Sequence, residues 1–330
     1  MINLCLFGAG FIGSVHAQNL MKHPRVNFRY IVDPRPDVAG KFAEMTGAQA
    51  VDADTALNDP AIHGVVIASA TRTHADLSIA AARKGKAVFC EKPIDIDLKR
   101  TDECLAVVKQ TGAIFQIGFN RRFDPSFHAL KQRLLAGEIG NVEQVIITSR
   151  DPEPETEEQL RAGSGVFREM TIHDFDMARN LLGEEPTHLF ATGSALVTPA
   201  YKAVGDYDTA MFVLRTASGR QCHINNSVRA TYGYDQRIEV QGALGMLSAD
   251  NRTPTSVKLS NAQNISTDKP LYFFTERYAE SYALELDHFV TCIEKKQAPD
   301  VGAEDGRKAM ILCEAALASV KSGRFEPVPV

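Results

Sequence analysis

No stretch of this chain approaches the roughly 20 uninterrupted apolar residues that a bilayer-spanning helix needs. No two of its six cysteines stand at CxxC spacing. Cys5, Cys90, Cys104, Cys222, Cys292 and Cys313 are far apart, and most lie in apolar surroundings. That argues against a disulfide framework or a zinc site and favours reduced, buried thiols in a cytoplasmic protein. None of the nine histidines lies at HxxH or HExxH spacing, so no metal is expected. An excess of positive charge is missing too. The 36 lysines and arginines are outnumbered by 41 acidic residues, for a net charge of -5. No broad positive field exists to attract a nucleic-acid backbone. There is no internal repeat and no low-complexity linker. The first seven residues are apolar but lack a basic flank and run straight into glycines, which reads as a first strand rather than a secretion signal.

What is present is an ordinary globular composition, 44% hydrophobic and 23% charged. The 330 residues suffice for two domains. Up to about residue 120, short apolar runs alternate with amphipathic segments. The runs are Ile2–Phe7, Phe28–Val32, Gly64–Ala68, Ala87–Cys90 and Ile114–Gly118. Strands apolar on both faces, separated by helices, predict a doubly wound parallel sheet, so the fold class is α/β with a Rossmann-type domain over residues 1–120. Beyond it, Gln144–Arg150, Thr209–Arg215, Gln221–Ser227 and Gln236–Val240 alternate without long helices between the later runs. They predict a largely antiparallel sheet in a second domain over 121–330. Phe167–Leu182, Tyr278–Lys295 and Glu304–Ser322 have helical spacing.

Gly8-Ala9-Gly10-Phe11-Ile12-Gly13 matches GxGxxG where a strand ends and a helix begins. The first glycine makes the turn, the second admits a pyrophosphate to the backbone, and the third lets helix and strand pack closely. Asp33 ends the second strand, near the spacing expected for the acid that binds the adenosine ribose. Its charge repels a 2′-phosphate and favours NAD, whereas Arg35 is suited to hold that phosphate. Asp33-Pro34 as a plain turn starter is the alternative.

Together with this motif, Glu91-Lys92-Pro93, Gly118-Phe119-Asn120-Arg121-Arg122-Phe123-Asp124, the stretch Phe167 to Asp176 and Ala230 to Arg237 make the chain resemble the Gfo/Idh/MocA oxidoreductases, in the inositol 2-dehydrogenase branch. The resemblance covers essentially the whole length. It implies a second domain with a large open sheet, C-terminal helices that return toward the first domain, and a homo-oligomer, dimer or tetramer, built through the outer sheet face. It further implies a polyol substrate bound between nicotinamide and sheet. By the same resemblance Ser69, Ala70, Thr71 and His74 line the nicotinamide side of the cofactor, with Ala70 where relatives carry proline, and Glu91 and Lys92 adjoin it.

Oxidising a secondary alcohol requires a hydride acceptor and a base for the hydroxyl proton, and histidine is the usual base near neutral pH. His173 matches the family's catalytic histidine. Glu169, where the family has aspartate, lies four residues earlier, so on an α-helix the two share a face. An exposed i,i+4 pair is the alternative reading. Lys92 follows a strand end, where an ammonium stabilises developing alkoxide charge, unless it is simply solvated. Asn120, Arg121, Asp151 and Tyr234 are the further substrate-binding residues that the resemblance implies. Arg121 has a structural alternative, bracing Asp124 or other acids together with Arg122. Because oxidation releases a proton, the reaction is expected to be favoured at alkaline pH.

Overall fold

The computed structural model describes residues 1–329. The chain divides into two compact units. One comprises Met1–Phe123 and Glu280–Lys308; the other comprises Asp124–Ala279 and the stretch from Ala309 onward.

The first unit holds six strands: β1 (Ile2–Phe7), β2 (Val26–Val32), β3 (Gln49–Ala50), β4 (Gly64–Ile67), β5 (Ala87–Glu91) and β6 (Phe115–Gly118). They pair in the order β3-β2-β1-β4-β5-β6, all parallel. The crossovers carry α1 (Phe11–Lys22), α2 (Pro36–Thr46), α3 (Ala53–Asn58), α4 (His74–Arg83) and α5 (Leu98–Thr111). Five of these strands are legible as apolar runs. β3 is not, because its two residues are polar or small and exposed. Leu4, Leu6, Val26, Ile31, Val66, Ala87 and Phe89 bring the sheet into the core, met by Ala17 and Leu20 of α1. Leu286, Phe289 and Val290 of α11 (Ala279–Lys295) close that same core, although they come from late in the chain. The strand order reverses between β1 and β4, so the carboxyl ends of these two strands mark the crevice where a doubly wound sheet takes its ligand.

The second unit is built on β7 (Val142–Arg150), β8 (Pro186–Ser194), β9 (Thr209–Thr216), β10 (Gln221–Ser227), β11 (Asp235–Gly242) and β12 (Gly245–Ala249). A short hairpin, β13 (Lys258–Ser260) with β14 (Ile265–Thr267), follows, and β15 (Glu326–Pro327) completes the large sheet. The order is β12-β11-β7-β10-β9-β8-β15. Every pair is antiparallel except β7 with β10, which is parallel. Alternating burial along β9 and β11 shows one face covered and one open. The covering helix is α8 (Ile172–Leu182), whose Phe175 ring meets Phe212 edge-on at 5.2 Å.

Helices α6 (Pro125–Leu135), α7 (Glu157–Ala162), α9 (Pro199–Val204) and α10 (Phe274–Arg277) also belong here, while α12 (Ala303–Ser322) runs across the boundary between the units. α6 begins with Asp124, whose Oδ1 accepts the backbone N–H groups of Ser126 and Phe127 at 3.1 Å. Its Oδ2 is held by Arg277 Nη1, not by Arg121 or Arg122. Arg122 instead pairs with Asp305 at 2.9 Å. Arg122 thus braces an acid other than Asp124, and the buried guanidinium that holds Asp124 arrives from a distant helix.

All six cysteines are buried free thiols. Among the described residues no helix is long and apolar enough to cross a membrane.

Candidate functional site

The glycine loop joins β1 to α1. Gly8 has φ +102°, and a Cβ on it would lie 2.4 Å from the Ala68 carbonyl oxygen beyond β4. A Cβ on Gly13 would lie 2.1 Å from the Gly8 oxygen, so strand, turn and helix pack too closely for any side chain there. Gly10 is different. It is exposed, and a Cβ there would meet nothing within 4 Å. The second glycine therefore leaves open space in front of a helix start, where backbone N–H groups lack intrahelical acceptors and attract phosphate. Phe11 stands exposed at the first helical position and Ile12 is half-buried.

Asp33 follows β2 and its side chain is only 4% exposed. Its Oδ2 accepts the Ala9 N–H at 2.9 Å, which ties it to the glycine loop. Arg35 donates its backbone N–H and Nε to Oδ1 at 3.0 and 2.9 Å, and Nη2 to Oδ2 at 3.1 Å. Bonding to Arg35, opposed by partial burial and helped by the Ala9 N–H, lowers the Asp33 pKa to about 2. A carboxylate offers about four acceptor positions, and four donors fill them. A ribose hydroxyl bonding this carboxylate would have to displace the Arg35 side chain, which is 58% exposed. These residues fit an adenine dinucleotide.

Asp33→Ala is expected to shift the ratio of kcat/KM for NAD over NADP toward NADP by about 10–100-fold, the worth of a charge-assisted hydrogen bond together with a freed Arg35. Steady-state kinetics with both cofactors measures it. An unchanged ratio would remove Asp33 from cofactor selection.

Beyond β4, Ser69 Oγ bonds Thr73 Oγ1 at 2.7 Å, and Thr73 Oγ1 donates to the Ala70 carbonyl at 2.7 Å. Thr71 opens the short 3-10 turn between them, with Ala70 exposed at the tip. His74 does not cap α4 with its side chain. It is buried, with Nδ1 2.8 Å from the Pro93 carbonyl oxygen and Nε2 3.0 Å from that of Ser69. Lys92 is the first residue past β5 and half-buried. Glu91 ends β5, with Oε1 2.7 Å from His16 Nε2 and Oε2 accepting the Lys92 N–H at 3.2 Å. Asn120 and Arg121 are buried in the turn after β6. The structure therefore gathers Gly8–Gly13, Ser69–His74, Glu91–Lys92 and Asn120–Arg121 at the carboxyl ends of β1, β4, β5 and β6.

Sequence reasoning missed Glu285 of α11. It is fully buried, and neither carboxyl oxygen has a hydrogen-bond partner among the described residues. Burial, with the nearby charge of Glu91, pushes its pKa well above the usual value of 4.5. A carboxyl that keeps its proton when folded but loses it when unfolded costs stability as pH rises. The cost starts above about pH 4.5 and grows by about 1.4 kcal/mol per pH unit until the folded group ionises. Glu285→Gln removes this slope. Its melting temperature should gain on the parent by roughly 3–5 °C per pH unit from about pH 5 upward, until the folded group ionises. Melting curves that run parallel from about pH 5 upward would show that Glu285 is already ionised.

In the second unit the stretch Phe167 to Leu182 is not one continuous α-helix. Phe167–Thr171 forms a π turn, and the α-helix starts at Ile172. Glu169 lies in the wider turn and His173 in the α-helix, so the ideal α-helical repeat does not relate them. Glu169 Oε1 accepts both the N–H and the Oγ–H of Ser164, at 3.1 and 2.6 Å. His173 is half-buried, and the residues around it are anchored by Asn226 of β10. Thr171 Oγ1 donates to Asn226 Oδ1 at 2.7 Å, and Asn226 Nδ2 donates to Asp174 Oδ2 at 2.9 Å. Asp174 is therefore a buried anchor of α8 on β10.

Asn226 stands opposite Ser149 on β7, and Ser149 opposite Gln236 on β11. Ser149 Oγ and the Gln236 amide lie 3.0–3.1 Å apart, so a buried polar row crosses three strands. No spacing within one segment announces it, since strand register alone aligns it. Asp151 follows β7 and Tyr234 precedes β11, which places them at one end of this antiparallel pair. Asp151 N donates to the Ser227 carbonyl at 2.9 Å, and the buried Tyr234 ring meets Tyr278 edge-on at 6.0 Å.

Residues 2–119 match the oxidoreductase family with an NAD-binding Rossmann fold, and residues 127–248 match the GFO/IDH/MocA C-terminal domain. The chain is 46% identical to the inositol 2-dehydrogenase of Rhizobium meliloti (strain 1021), over 97% of each chain. A myo-inositol dehydrogenase from Corynebacterium glutamicum ATCC 13032 superimposes with a TM-score of 0.95 at 40% identity, covering 100% of this chain and 99% of that one. A scyllo-inositol dehydrogenase from Lactobacillus casei, solved with NAD(H) and scyllo-inositol bound, gives a TM-score of 0.93 at 26% identity over 99% of each chain.

Proposed function

Because the chain belongs to the GFO/IDH/MocA family of NAD-binding oxidoreductases, we propose that it oxidises a secondary hydroxyl of an inositol, converting myo-inositol to 2-keto-myo-inositol. The observation that carries this reading is Lys92, set directly past β5 at the same strand ends as the glycine loop, in a chain 46% identical to an inositol 2-dehydrogenase. Gly8, Gly10, Phe11, Ile12 and Gly13 cradle the pyrophosphate, and Asp33 takes the adenosine ribose. Ser69, Ala70, Thr71, His74 and Glu91 border the nicotinamide half. When bound, the nicotinamide supplies the hydride acceptor.

His173 takes the hydroxyl proton, since neutral imidazole is a base suited to this work near neutral pH. Lys92 donates to the reacting oxygen and stabilises its growing negative charge. Glu169 is held by Ser164 on one oxygen, and its carboxylate serves the substrate's neighbouring hydroxyl or the imidazole. Asn120, Arg121, Asp151 and Tyr234 supply partners for the other ring hydroxyls, because each ring carbon of an inositol carries one. Buried free thiols support a cytoplasmic location, and the family resemblance supports a homo-oligomer, a tetramer or a dimer.

Glu169, in place of the family's aspartate, favours a second reading, a different cyclic polyol or a pyranose as substrate. A panel of myo-inositol, scyllo-inositol and common hexoses, read by NADH absorbance in parallel with NAD and NADP, decides between them. NADH formation with myo-inositol at the highest kcat/KM supports the proposal. A hexose preferred over every inositol moves the reading to a sugar dehydrogenase. Tight NAD binding with no turnover of any polyol leaves a non-catalytic NAD-binding regulator.

A further inference from the structure

Two buried histidines grip the loop Glu91-Lys92-Pro93 from opposite ends, and neither belongs to the proton and hydride chemistry above. His16 lies on α1, fully buried, with Nε2 2.7 Å from Glu91 Oε1. Its ring is set edge-on against Phe89 at 5.0 Å and Tyr282 at 5.8 Å, so its orientation is fixed by packing. The other oxygen of Glu91 receives the Lys92 backbone N–H. The Glu91 side chain occupies space that only a glycine leaves. A Cβ on Gly118, its partner on β6, would lie 2.8 Å from Glu91 Oε2. At the other end His74 bridges the Pro93 carbonyl and the Ser69 carbonyl, which joins the loops after β5 and β4.

The core around α11 also changes character toward this loop. Leu286, Phe289 and Val290 belong to the apolar cluster, whereas Ser281 and Glu285, one turn apart nearer the helix start, are fully buried polar groups. Gln116 of β6, also fully buried, donates Nε2 to the Glu285 carbonyl at 2.9 Å. A polar interior at the carboxyl ends of the strands costs stability that an apolar one would not. The nearness of Glu285 to Glu91, the residue before Lys92, gives that cost a use.

We propose that His16 and His74 are positioning residues for Lys92, His16 acting through the Glu91 carboxylate and His74 through the Pro93 carbonyl. The inference rests on the role given to Lys92 above. His16 holds Glu91 in the one orientation that receives the Lys92 N–H, and His74 fixes the far side of the same residue. A displacement of about 1 Å at a reacting group is enough to cost about 100-fold in rate.

The test compares His16→Leu, His16→Gln, His74→Leu and His74→Asn with the parent, each also combined with Lys92→Ala. Turnover of NAD with myo-inositol and hydrogen exchange at the Lys92 amide are the two readouts. His16→Leu is expected to lower kcat about 10–100-fold with KM for NAD and myo-inositol within about twofold. His16→Gln, which keeps an N–H donor at similar reach, recovers most of the rate, as His74→Asn does relative to His74→Leu. In the Lys92→Ala background His16→Leu costs nothing further, and the Lys92 amide of the His16→Leu protein exchanges faster than in the parent.

Parental kcat in both leucine variants, or losses that add fully to that of Lys92→Ala, would overturn the proposal. If Lys92→Ala is itself fully active, the assigned role of Lys92 fails, and the inference fails with it. If Lys92→Ala is crippled while the histidine variants are not, only the inference fails. Should His16→Leu not fold, His16→Gln and the His74 pair carry the same comparison. Unchanged amide exchange at Lys92 counts against the proposal whatever the substrate proves to be.

Discussion

Replacing Lys92 by alanine is expected to lower kcat by about 10²–10³-fold, the usual cost of removing one donor that faces developing oxyanion charge. The reason is local. Lys92 is the first residue past β5, its amide is fastened by Glu91, and the strand it follows is buried throughout. An ammonium launched from so rigid a platform is preorganised, so its contribution appears in the transition state rather than in binding. NAD affinity should hardly move, because the glycine loop and Asp33 belong to β1 and β2 and are braced by their own contacts. Steady-state kinetics and a direct NAD titration separate the two quantities. Parental turnover would refute the role of Lys92, and a loss of NAD affinity matching the loss of rate would recast it as a cofactor ligand.

Arg277→Met is expected to destabilise the second unit by about 3–5 kcal/mol, the usual result of leaving one member of a buried ion pair alone. Arg277 is 1% exposed and Asp124 is fully buried. The guanidinium lies over two rings, 5.3 Å from the centroid of Phe127 and 4.8 Å from that of Tyr278. Methionine replaces the apolar stem but leaves the Asp124 carboxylate, among the described residues, with the two N–H groups of the α6 start. At roughly 2–4 °C per kcal/mol for a unit of this size, the melting temperature should fall by about 6–20 °C. Thermal unfolding followed by circular dichroism reads it. A fall under about 2 °C would mean that water or a rearranged arginine takes over the charge.

Much of the first unit was legible because its signals are local. Five apolar strands, and a glycine motif at a strand-to-helix junction, declare themselves within a dozen residues. β3 did not, being too short and too polar to stand out. The π turn at Phe167–Thr171 was equally hidden, since its apolar spacing passes for an ordinary helix. The pairing of Asp124 went to Arg277 rather than to the adjacent arginines because burial, not sequence distance, selects a partner for an enclosed carboxylate. Asn226 escaped notice for the same kind of reason. It is an ordinary strand residue until register sets it beside Ser149 and α8 lays Thr171 and Asp174 on it.

The sequence by itself determined the α/β class, the parallel order of β-α repeats in the first unit, the glycine loop with Asp33, and the family to which Glu91-Lys92-Pro93 and the His173 segment point. These follow from periodicity and from residue types whose chemistry acts within a few positions. Only the tertiary structure decided that Arg35 already occupies Asp33, which residues of α11 enter the first core, that Glu285 is buried without a hydrogen-bonded partner among the described residues, and that His16 and His74 converge on one loop. The Arg35 contact is local and depends on side-chain orientation; the others depend on segments far apart in the chain, and such an arrangement exists only once packing has chosen which faces meet.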